Sequence, residues 1–252
     1  MIKTNNYKIL NTLFLHNVNH MLNSELKGEI GECYVDNIGD TKTAIVVIGN
    51  EACFGYFGGT PNKEMLLAFK NRDMIYVPNT EEWYDSMKKQ FSSSGREFSR
   101  YAMKPNKKFE KNYFLEILRT IPKDIEIVKI NSTIYNEILA LTWARDLVGS
   151  YKNFSDFDMN AVGYILKLDG KIISGASTYI HLIKGIEIEV DTHPDYRNKG
   201  LAKLVSAKLI LDCLENKLYP SWDAHNEISY KLAKSLNYDL DFEYKAFEIT
   251  EN

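Results

Sequence analysis

The sequence predicts an α/β protein of the α+β type, built around a mixed sheet. Ile186, Ile188 and Val190 alternate with acidic residues, and this period of two is typical of a strand. A leucine-rich run over 201–218 follows at helical spacing after a short turn. Asp169-Gly170 separates two further strand patterns and indicates a tight hairpin. Strands linked by a hairpin and strands linked by a helix together predict antiparallel and parallel pairs in one sheet.

The length of 252 residues is comfortable for two domains. Pro122 ends a helix predicted over 112–119, and a new strand pattern begins at Ile125. We therefore expect a smaller N-terminal α/β domain over 1–122 and a second domain over 123–252. The first domain has no catalytic pattern, and its expected role is to shape a substrate cleft or a dimer interface.

Within the first domain, apolar periodicity predicts one helix over 7–26 and a buried strand at 44–48. The glycine-rich stretch 55–61 is interpreted as a turn. Thr80 is expected to cap a helix. The run 90–105 is polar and basic, and a flexible loop is expected at 92–95.

Within the second domain, Asn131 and Ser132 are expected to cap a helix that runs to Val148. The other elements predicted in this domain are strands at 125–130, 161–168, 171–182, 185–193, 218–225 and 242–249, and helices at 201–218 and 226–236.

Composition limits the classes of partner. A net charge of −3 gives no general attraction to nucleic acid or to an anionic membrane, and a local basic cluster over 96–111 is interpreted as solvated surface. No signal peptide or bilayer-spanning run is present. Three scattered cysteines favour free thiols in a reducing cytoplasm. His16 and His20 lack a third ligand nearby, so no metal site is predicted.

The turn between the acidic strand and the leucine-rich helix has the chemistry of an anion site. Gly200 lies where the helix opens, and the first backbone N–H groups of a helix have no partner within it. Those groups and the positive end of the helix dipole attract anions. Arg197, Lys199 and Lys203 add positive charge. The expected guest is a phosphate or a diphosphate.

The run Arg197-Asn198-Lys199-Gly200-Leu201-Ala202 resembles the pyrophosphate loop, Arg/Gln-x-x-Gly-x-Gly/Ala, of the GCN5-related N-acetyltransferases, the GNAT superfamily. The preceding Thr-His-Pro-Asp-Tyr is similar to the strand exit of that family. The resemblance covers about the last half of the chain. It implies a GNAT fold with a centrally splayed mixed sheet over 123–252, and acetyl-coenzyme A as cosubstrate without a metal.

The resemblance also implies the residues that hold the cofactor. The backbone of Val190, Asp191 and Thr192 would bond the pantetheine arm as an added strand does, and would give an N–H to the thioester carbonyl. The other cofactor-binding residues that the resemblance implies are Arg197, Asn198, Lys199, Gly200, Leu201, Ala202 and Lys203 at the diphosphate, and Asn226 and Ser229 at the pantetheine.

Acyl transfer to an amine needs a general base near the thioester. The resemblance implies that the acidic strand supplies it, with Glu189 as first candidate and Glu187 as second. Asp191 is an alternative. The period of two puts both glutamates on one face, where their proximity would raise the pKa of one. The other interpretation, that they are solvent-facing strand residues, stays open.

The sequence departs from the family at the expected acid. Many members have a tyrosine seven residues after the asparagine, and Ala233 occupies that position here. Tyr230 and Tyr238 are the candidates to replace it. Trp222 either walls the cleft or packs in the core, and the sequence leaves both interpretations open.

The pattern from Trp222 to Ala233, with a separate domain in front, resembles a subgroup that contains the zwittermicin A resistance acetyltransferases. This resemblance implies a small-molecule amine as substrate, such as an aminopolyol antibiotic or a polyamine-like metabolite, and a role in antibiotic resistance. Acetylation of a protein or peptide amine stays open, as does a non-catalytic acyl-coenzyme A sensor. A homodimer also stays open.

Overall fold

The computed structural model describes residues 1–16, 18–27, 31–49, 53–105 and 109–249. The elements up to residue 105 are β1 (Ile2–Lys3), α1 (Tyr7–Leu13), α2 (His20–Glu25), β2 (Glu32–Val35), β3 (Thr43–Ile48), β4 (Cys53–Gly59), α3 (Lys63–Leu67), β5 (Met74–Pro78), α4 (Glu81–Gln90) and β6 (Gly95–Pro105). The elements from residue 109 onward are α5 (Lys111–Leu118), β7 (Ile125–Lys129), α6 (Ser132–Leu139), α7 (Asp146–Gly149), α8 (Phe154–Asn160), β8 (Gly163–Leu168), β9 (Lys171–Leu182), β10 (Gly185–Thr192), a 3-10 turn (Pro194–Tyr196), α9 (Leu201–Glu215), β11 (Tyr219–Ser221), β12 (Asp223–Ala224), α10 (Glu227–Lys234) and β13 (Tyr238–Ile249). This mixture of strands and helices confirms the predicted α/β class.

The chain divides into two compact units. One unit contains Met1–Ala102 and Phe242–Asn252, and the other contains Met103–Asp241. The boundary predicted after residue 122 lies inside the second unit, between α5 and β7. The division into domains 1–122 and 123–252 therefore stays a prediction, and each compact unit is described by itself.

The first unit is built on a sheet in which β1, β2, β3, β4, β5, β13 and β6 follow one another. β4 and β5 run parallel, whereas β2, β3 and β4 are joined as antiparallel neighbours. Trp83 of α4 is fully buried and its ring lies 5.1 Å from that of Phe57. The predicted cap of α4 is confirmed, because the Thr80 hydroxyl accepts a 3.2 Å hydrogen bond from the backbone N–H of Trp83.

The glycine-rich stretch 55–61 was expected to be a turn, and this prediction is wrong, because most of it lies in β4. A Cβ at Gly55 would lie 2.5 Å from the sulfur of Met74, and one at Gly58 would lie 2.7 Å from the carbonyl of Leu13. Glycine is thus required here by close packing, which local turn statistics cannot distinguish from a bend.

One other prediction in the first unit is wrong. The N-terminal helix is divided into α1 and α2, with Asn19 as the cap of the second helix: its side-chain oxygen accepts from the backbone N–H of Leu22 at 3.0 Å. The loop expected at 92–95 lies between α4 and β6, apart from Gly95, which begins β6; this eleven-residue strand was not predicted. The exposed positions of this strand carry charged side chains, and such a composition also describes a loop.

The second unit contains a five-stranded sheet in the order β11, β10, β9, β8, β7. β10 is antiparallel to β9 and parallel to β11, so the predicted mixed sheet is confirmed. Ile165 of β8 packs in an apolar cluster with residues of α6, α7 and α8. The neighbouring Tyr164 donates a 2.8 Å hydrogen bond to Asp212 of α9. Because neighbouring strand residues point to opposite faces, these helices and α9 cover opposite faces of the sheet.

The hairpin at Asp169-Gly170 is confirmed, since both residues have positive φ, as a tight type I′ turn requires. The predicted helix from Ser132 to Val148 is wrong in extent, because α6 ends at Leu139 and α7 begins at Asp146. Apolar residues continue at helical spacing through the break, so periodicity could not reveal it. Helix α8 was not predicted, and the strand predicted at 218–225 is two short strands, β11 and β12.

Candidate functional site

Two parallel strands separate at the centre of the second unit. β10 and β11 are paired over three residues only, from Gly185 opposite Tyr219 to Glu187 opposite Ser221. β10 then continues to Thr192 along β9. Beyond Glu187, the side of β10 that faced β11 has no strand partner among the described residues. We call the backbone groups on this side the open edge, and the splayed sheet that the resemblance implied is present.

Backbone groups of Val190 and Thr192 face the open edge. The N–H of Val190 donates to the Glu189 carboxylate at 3.1 Å, and the carbonyl of Thr192 accepts from Arg197 Nε at 3.2 Å. The carbonyl of Asp191 is turned towards β9, where it accepts a 3.0 Å hydrogen bond from the Ser174 hydroxyl. Of the three residues predicted to bond a pantetheine arm, two therefore present backbone groups to the open edge.

Glu187 lies at the point of separation and is 3% exposed. Its carboxylate accepts a 2.6 Å hydrogen bond from the backbone N–H of Asp223. Glu189 is half-buried, two residues nearer the open end of the strand. The register of β9 and β10 shifts between Glu187 and Ile188, and the extra residue at this bulge, Tyr179, belongs to β9. The alternation of side chains along β10 is therefore unbroken. Glu187 and Glu189 consequently share a face, as the sequence predicted.

Asp191 lies on the same face of β10 and has an altered acidity. Burial raises the pKa of its carboxyl to about 6, and the nearby Asp146 carboxylate acts in the same direction, while Arg197 opposes them. Asp146 is the first residue of α7. The carboxylate face of β10 is therefore the face that α7 covers, and negative charge is concentrated beside the open edge.

The turn that joins β10 to α9 is open to solvent. Arg197, Asn198, Lys199 and Gly200 are exposed, and both Asn198 and Gly200 have positive φ. A Cβ at Gly200 would meet no heavy atom within 4 Å. No side chain of the N-cap residue bonds the first N–H groups of α9, because that residue is Gly200. The first turn of a fifteen-residue helix thus faces open space.

We call the residues of this turn, 197–203, the glycine turn. Leu201 is buried, whereas Ala202 and Lys203 are half-buried at the start of α9. The ammonium group of Lys199 lies 4.7 Å above the ring of Tyr196. The residues that the sequence predicts for the diphosphate are brought together here, at the exposed start of α9.

Asn226 and Ser229 lie at the start of α10. The side-chain oxygen of Asn226 accepts from the backbone N–H of Ser229 at 3.0 Å and caps the helix. The Ser229 hydroxyl accepts a 3.1 Å hydrogen bond from the indole N–H of Trp222. Trp222 is buried, and its ring lies 5.6 Å from that of Tyr238. Of the two interpretations of Trp222, the core position is therefore the one observed.

The residues considered for the role of general acid differ in solvent exposure. Ala233 is fully buried, so the site lacks an exposed side chain at that position. Tyr238 is also fully buried and donates a 2.7 Å hydrogen bond to the carbonyl of Pro220, and burial raises its pKa well above the ordinary value. Tyr230 is half-buried on the same side of α10 as Asn226. Tyr230 is thus the better placed of the two tyrosines to exchange a proton.

A cavity of about 330 Å³ lies beyond the end of β10. The α6–α7 loop, the first residues of β9, and His193 and Tyr196 line it. The ring of His193 lies 5.4 Å from that of Trp143 and 5.5 Å from that of Tyr196. His193 continues the β10 ladder through its N–H to Ile173, so it lies on the face of Glu189 and Asp191.

Sequence reasoning missed this cavity. His193 and Tyr196 were noted only as part of a strand exit, and nothing marked Trp143 as their neighbour. The described residues contain no group of three histidine, cysteine, aspartate or glutamate side chains that could hold a metal ion. No helix in the part of the chain that the structure describes is long and apolar enough to cross a membrane.

Comparison with known proteins identifies the family. A family model described as GNAT acetyltransferase matches residues 11–247. The match therefore includes most of the first part of the chain, although the resemblance in sequence was confined to the second half. The crystal structure of a GCN5-related N-acetyltransferase-like protein from Streptococcus suis 89/1591 is similar at 35% identity, with a TM-score of 0.90 over 96% of this chain and 98% of that chain.

Two further relatives are more distant. The uncharacterized N-acetyltransferase YdfB of Bacillus subtilis (strain 168) is 26% identical over 129 residues, which is 50% of this chain and 49% of that protein. The match thus spans about half the length of this relative. A GCN5-related N-acetyltransferase from Kribbella flavida, 9% identical, shares the fold with a TM-score of 0.58. Because the family model spans nearly the whole chain, this chain belongs to the GNAT acetyltransferase family, whose members are acyltransferases that generally use acetyl-coenzyme A.

Proposed function

We propose that this protein transfers an acetyl group from acetyl-coenzyme A to a primary amine of a small molecule, by direct attack in a ternary complex. The observation that carries the proposal is the separation of β10 from β11 after Glu187, next to the open glycine turn. An extended arm with an anionic head matches this combination of an unpaired strand edge and a helix start.

The cofactor supplies an activated acyl group, and the residues present fit it. Val190 N–H and the Thr192 carbonyl would bond the pantetheine arm. The backbone amides of Leu201, Ala202 and Lys203 would bind the diphosphate, for which the absence of any side chain at Gly200 leaves room. Arg197 and Lys199 would add charge, and Asn226, at the start of α10, would also bond the arm.

The reaction requires a base near the acyl carbon. The amine nitrogen forms a bond to that carbon, the carbon–sulfur bond breaks, and the proton lost by nitrogen is balanced by the proton that the thiolate gains. Glu189 is the first choice as base because it lies at the open edge. Asp191, with a pKa of about 6, is the alternative. Glu187 is assigned a positioning role, since Asp223 holds its carboxylate.

The acceptor is proposed to be a small cation. The cavity beside β10 is at the small end of the range for ligand pockets, which favours a small molecule over a peptide. The carboxylates of Asp146, Glu189 and Asp191 on the adjoining face favour a positively charged amine. An aminopolyol or a polyamine-like compound fits these properties, and a role in antibiotic resistance would follow from the first of them.

A cytoplasmic location is part of the same proposal. Cys33, Cys53 and Cys213 are free and buried, which suits a reducing compartment. Non-catalytic acyl-coenzyme A sensing is the second candidate function. The observation that favours it is the buried Ala233 at the usual position of the acid.

The test combines binding with turnover. Calorimetry with coenzyme A measures binding, and a thiol-release assay with acetyl-coenzyme A is run against aminoglycosides, polyamines, aminopolyols and short peptides. Binding with release for a small amine supports the proposal. Binding with background release across the panel indicates the sensor, and release only with peptides indicates a peptide acetyltransferase. Absence of coenzyme A binding overturns all three.

A further inference from the structure

Side chains of the site itself already occupy two backbone groups that a pantetheine arm needs. Glu189 accepts from the N–H of Val190, and Arg197 donates to the carbonyl of Thr192. Both contacts lie on the open edge, and they are two residues apart along β10. One contact supplies a negative acceptor and the other a positive donor, so together they replace the hydrogen bonds that a neighbouring strand would make.

The contact of Glu189 is the more informative of the two. The carboxylate oxygen lies 3.1 Å from the nitrogen of Val190, where the oxygen of an acyl group would lie if that N–H bonded it. A carboxylate and an acyl oxygen cannot share one N–H at this distance. A carboxylate displaced by the acyl oxygen must also stay close to it, because Glu189 is the adjacent residue. The displaced base is therefore beside the acyl carbon.

We propose that Glu189 and Arg197 form a latch on the open edge, and that Glu189 competes with the acyl carbonyl for the Val190 N–H, which lowers the preference of the site for acylated coenzyme A over free coenzyme A. The inference rests on the proposed function. The acyl carbonyl displaces Glu189 from Val190, and the freed carboxylate then takes the proton of the attacking amine. Free coenzyme A has no such carbonyl, so it binds without displacing Glu189, and the contact opposes binding of the acylated form alone.

Arg197 has the corresponding role for the arm and the diphosphate. Its Nε leaves the Thr192 carbonyl when an amide N–H of the pantetheine arm takes that carbonyl. The exposed guanidinium is then free to pair with the diphosphate at the adjoining glycine turn. The same side chain thus opposes binding of the arm and favours binding of the head group.

The first test compares coenzyme A with a ketone analogue of acetyl-coenzyme A, in which a methylene replaces the thioester sulfur. Calorimetry gives the ratio of the two dissociation constants for wild type and for Glu189→Ala. We expect the preference for the analogue to rise about fivefold in the variant, which is the effect of one removed competing hydrogen bond. Glu189→Gln, whose amide oxygen can still accept a hydrogen bond from Val190, should have a ratio between those of wild type and Glu189→Ala.

Asp195→Asn is the matched control, because Asp195 is an exposed carboxylate before the glycine turn that makes no contact with the open edge among the described residues. This variant should change both affinities equally and leave their ratio unaltered. An unaltered ratio in Glu189→Ala, with normal thermal unfolding, overturns the latch. If wild type binds neither ligand, the proposed function fails instead.

The second test separates the two roles of Arg197. Arg197→Ala should tighten binding of pantetheine, which lacks the diphosphate, by about twofold to fivefold, and should weaken binding of coenzyme A. Lys199→Ala, which removes a neighbouring charge only, should weaken coenzyme A and leave pantetheine unchanged. NMR chemical shift changes on titration measure the weak affinity for pantetheine. Equal weakening of both ligands in Arg197→Ala contradicts the proposed contact with Thr192.

Discussion

The carboxylate of Glu187 accepts a 2.6 Å hydrogen bond from the backbone N–H of Asp223 across the point where β10 and β11 separate. Glu187 is also the last residue of β10 that is paired with β11, opposite Ser221. A strand that separates from its neighbour loses the backbone hydrogen bonds between them, and a buried backbone donor then needs another acceptor. The Glu187 carboxylate supplies an acceptor to the Asp223 N–H at the point of separation.

Glu187→Ala should therefore lower the free energy of unfolding by about 1–3 kcal/mol, because the Asp223 N–H loses its acceptor in a buried place. Urea unfolding followed by circular dichroism measures the change. Glu187→Gln retains an acceptor oxygen and should cost less than half as much. Equal losses in the two variants would mean that the charge of Glu187, and not its hydrogen bond, stabilises the separation.

Gly200→Ala should weaken coenzyme A binding. Gly200 has φ +77°, and a side chain costs about 1–2 kcal/mol in this conformation even though no atom blocks it. The variant relieves this strain by moving the turn, which misaligns the first amides of α9. Calorimetry with coenzyme A and thermal unfolding measure the two effects. Gly170→Ala is the control: Gly170 has φ +76° and a Cβ there would also meet no heavy atom within 4 Å, so the variant should lose comparable stability but retain affinity for coenzyme A.

The parts of the site that follow from local chemistry could be predicted from the sequence. The alternation of Ile186 and Glu187 gives a strand, and the left-handed conformation at Gly200 requires glycine at the start of the helix. The hairpin at Asp169-Gly170 is equally local. In each instance the determining residues are neighbours in sequence, so periodicity and turn chemistry contain the information.

The other parts depend on residues that are distant in sequence. Glu187 alternates like a solvent-facing residue, but it is buried and its carboxylate accepts from Asp223, 36 positions away. The cavity combines Trp143 with His193 and Tyr196, which belong to separate segments. Gly55 lies in a strand because Met74 packs against it, and no local pattern contains that contact.

Asp191→Asn should stabilise the protein at neutral pH. The carboxyl has an ordinary pKa of 3.8 and a pKa of about 6 in the folded protein, so its ionisation opposes folding. Below pH about 4 the carboxyl is protonated in both the folded and the unfolded protein, so it does not oppose folding. As the pH rises through about 6, ionisation of Asp191 lowers the free energy of unfolding. The Asp191→Asn variant cannot ionise at this position, so above pH 7 it should be more stable than wild type by about 1–3 kcal/mol. Urea unfolding at pH 4 and pH 7.5 tests this, and an equal difference at both pH values contradicts it.

Tyr230→Phe and Tyr238→Phe should have opposite effects on activity and stability. Tyr238 donates to the Pro220 carbonyl in the core, so its loss should cost about 1–2 kcal/mol of unfolding free energy and leave kcat unchanged. Tyr230 is half-buried on the Asn226 side of α10, and removal of its hydroxyl should lower kcat about tenfold. This effect is below the usual range for acid catalysis because a thiolate leaves readily. Steady-state thiol release at saturating acceptor measures kcat, and full activity in Tyr230→Phe would assign the proton to solvent.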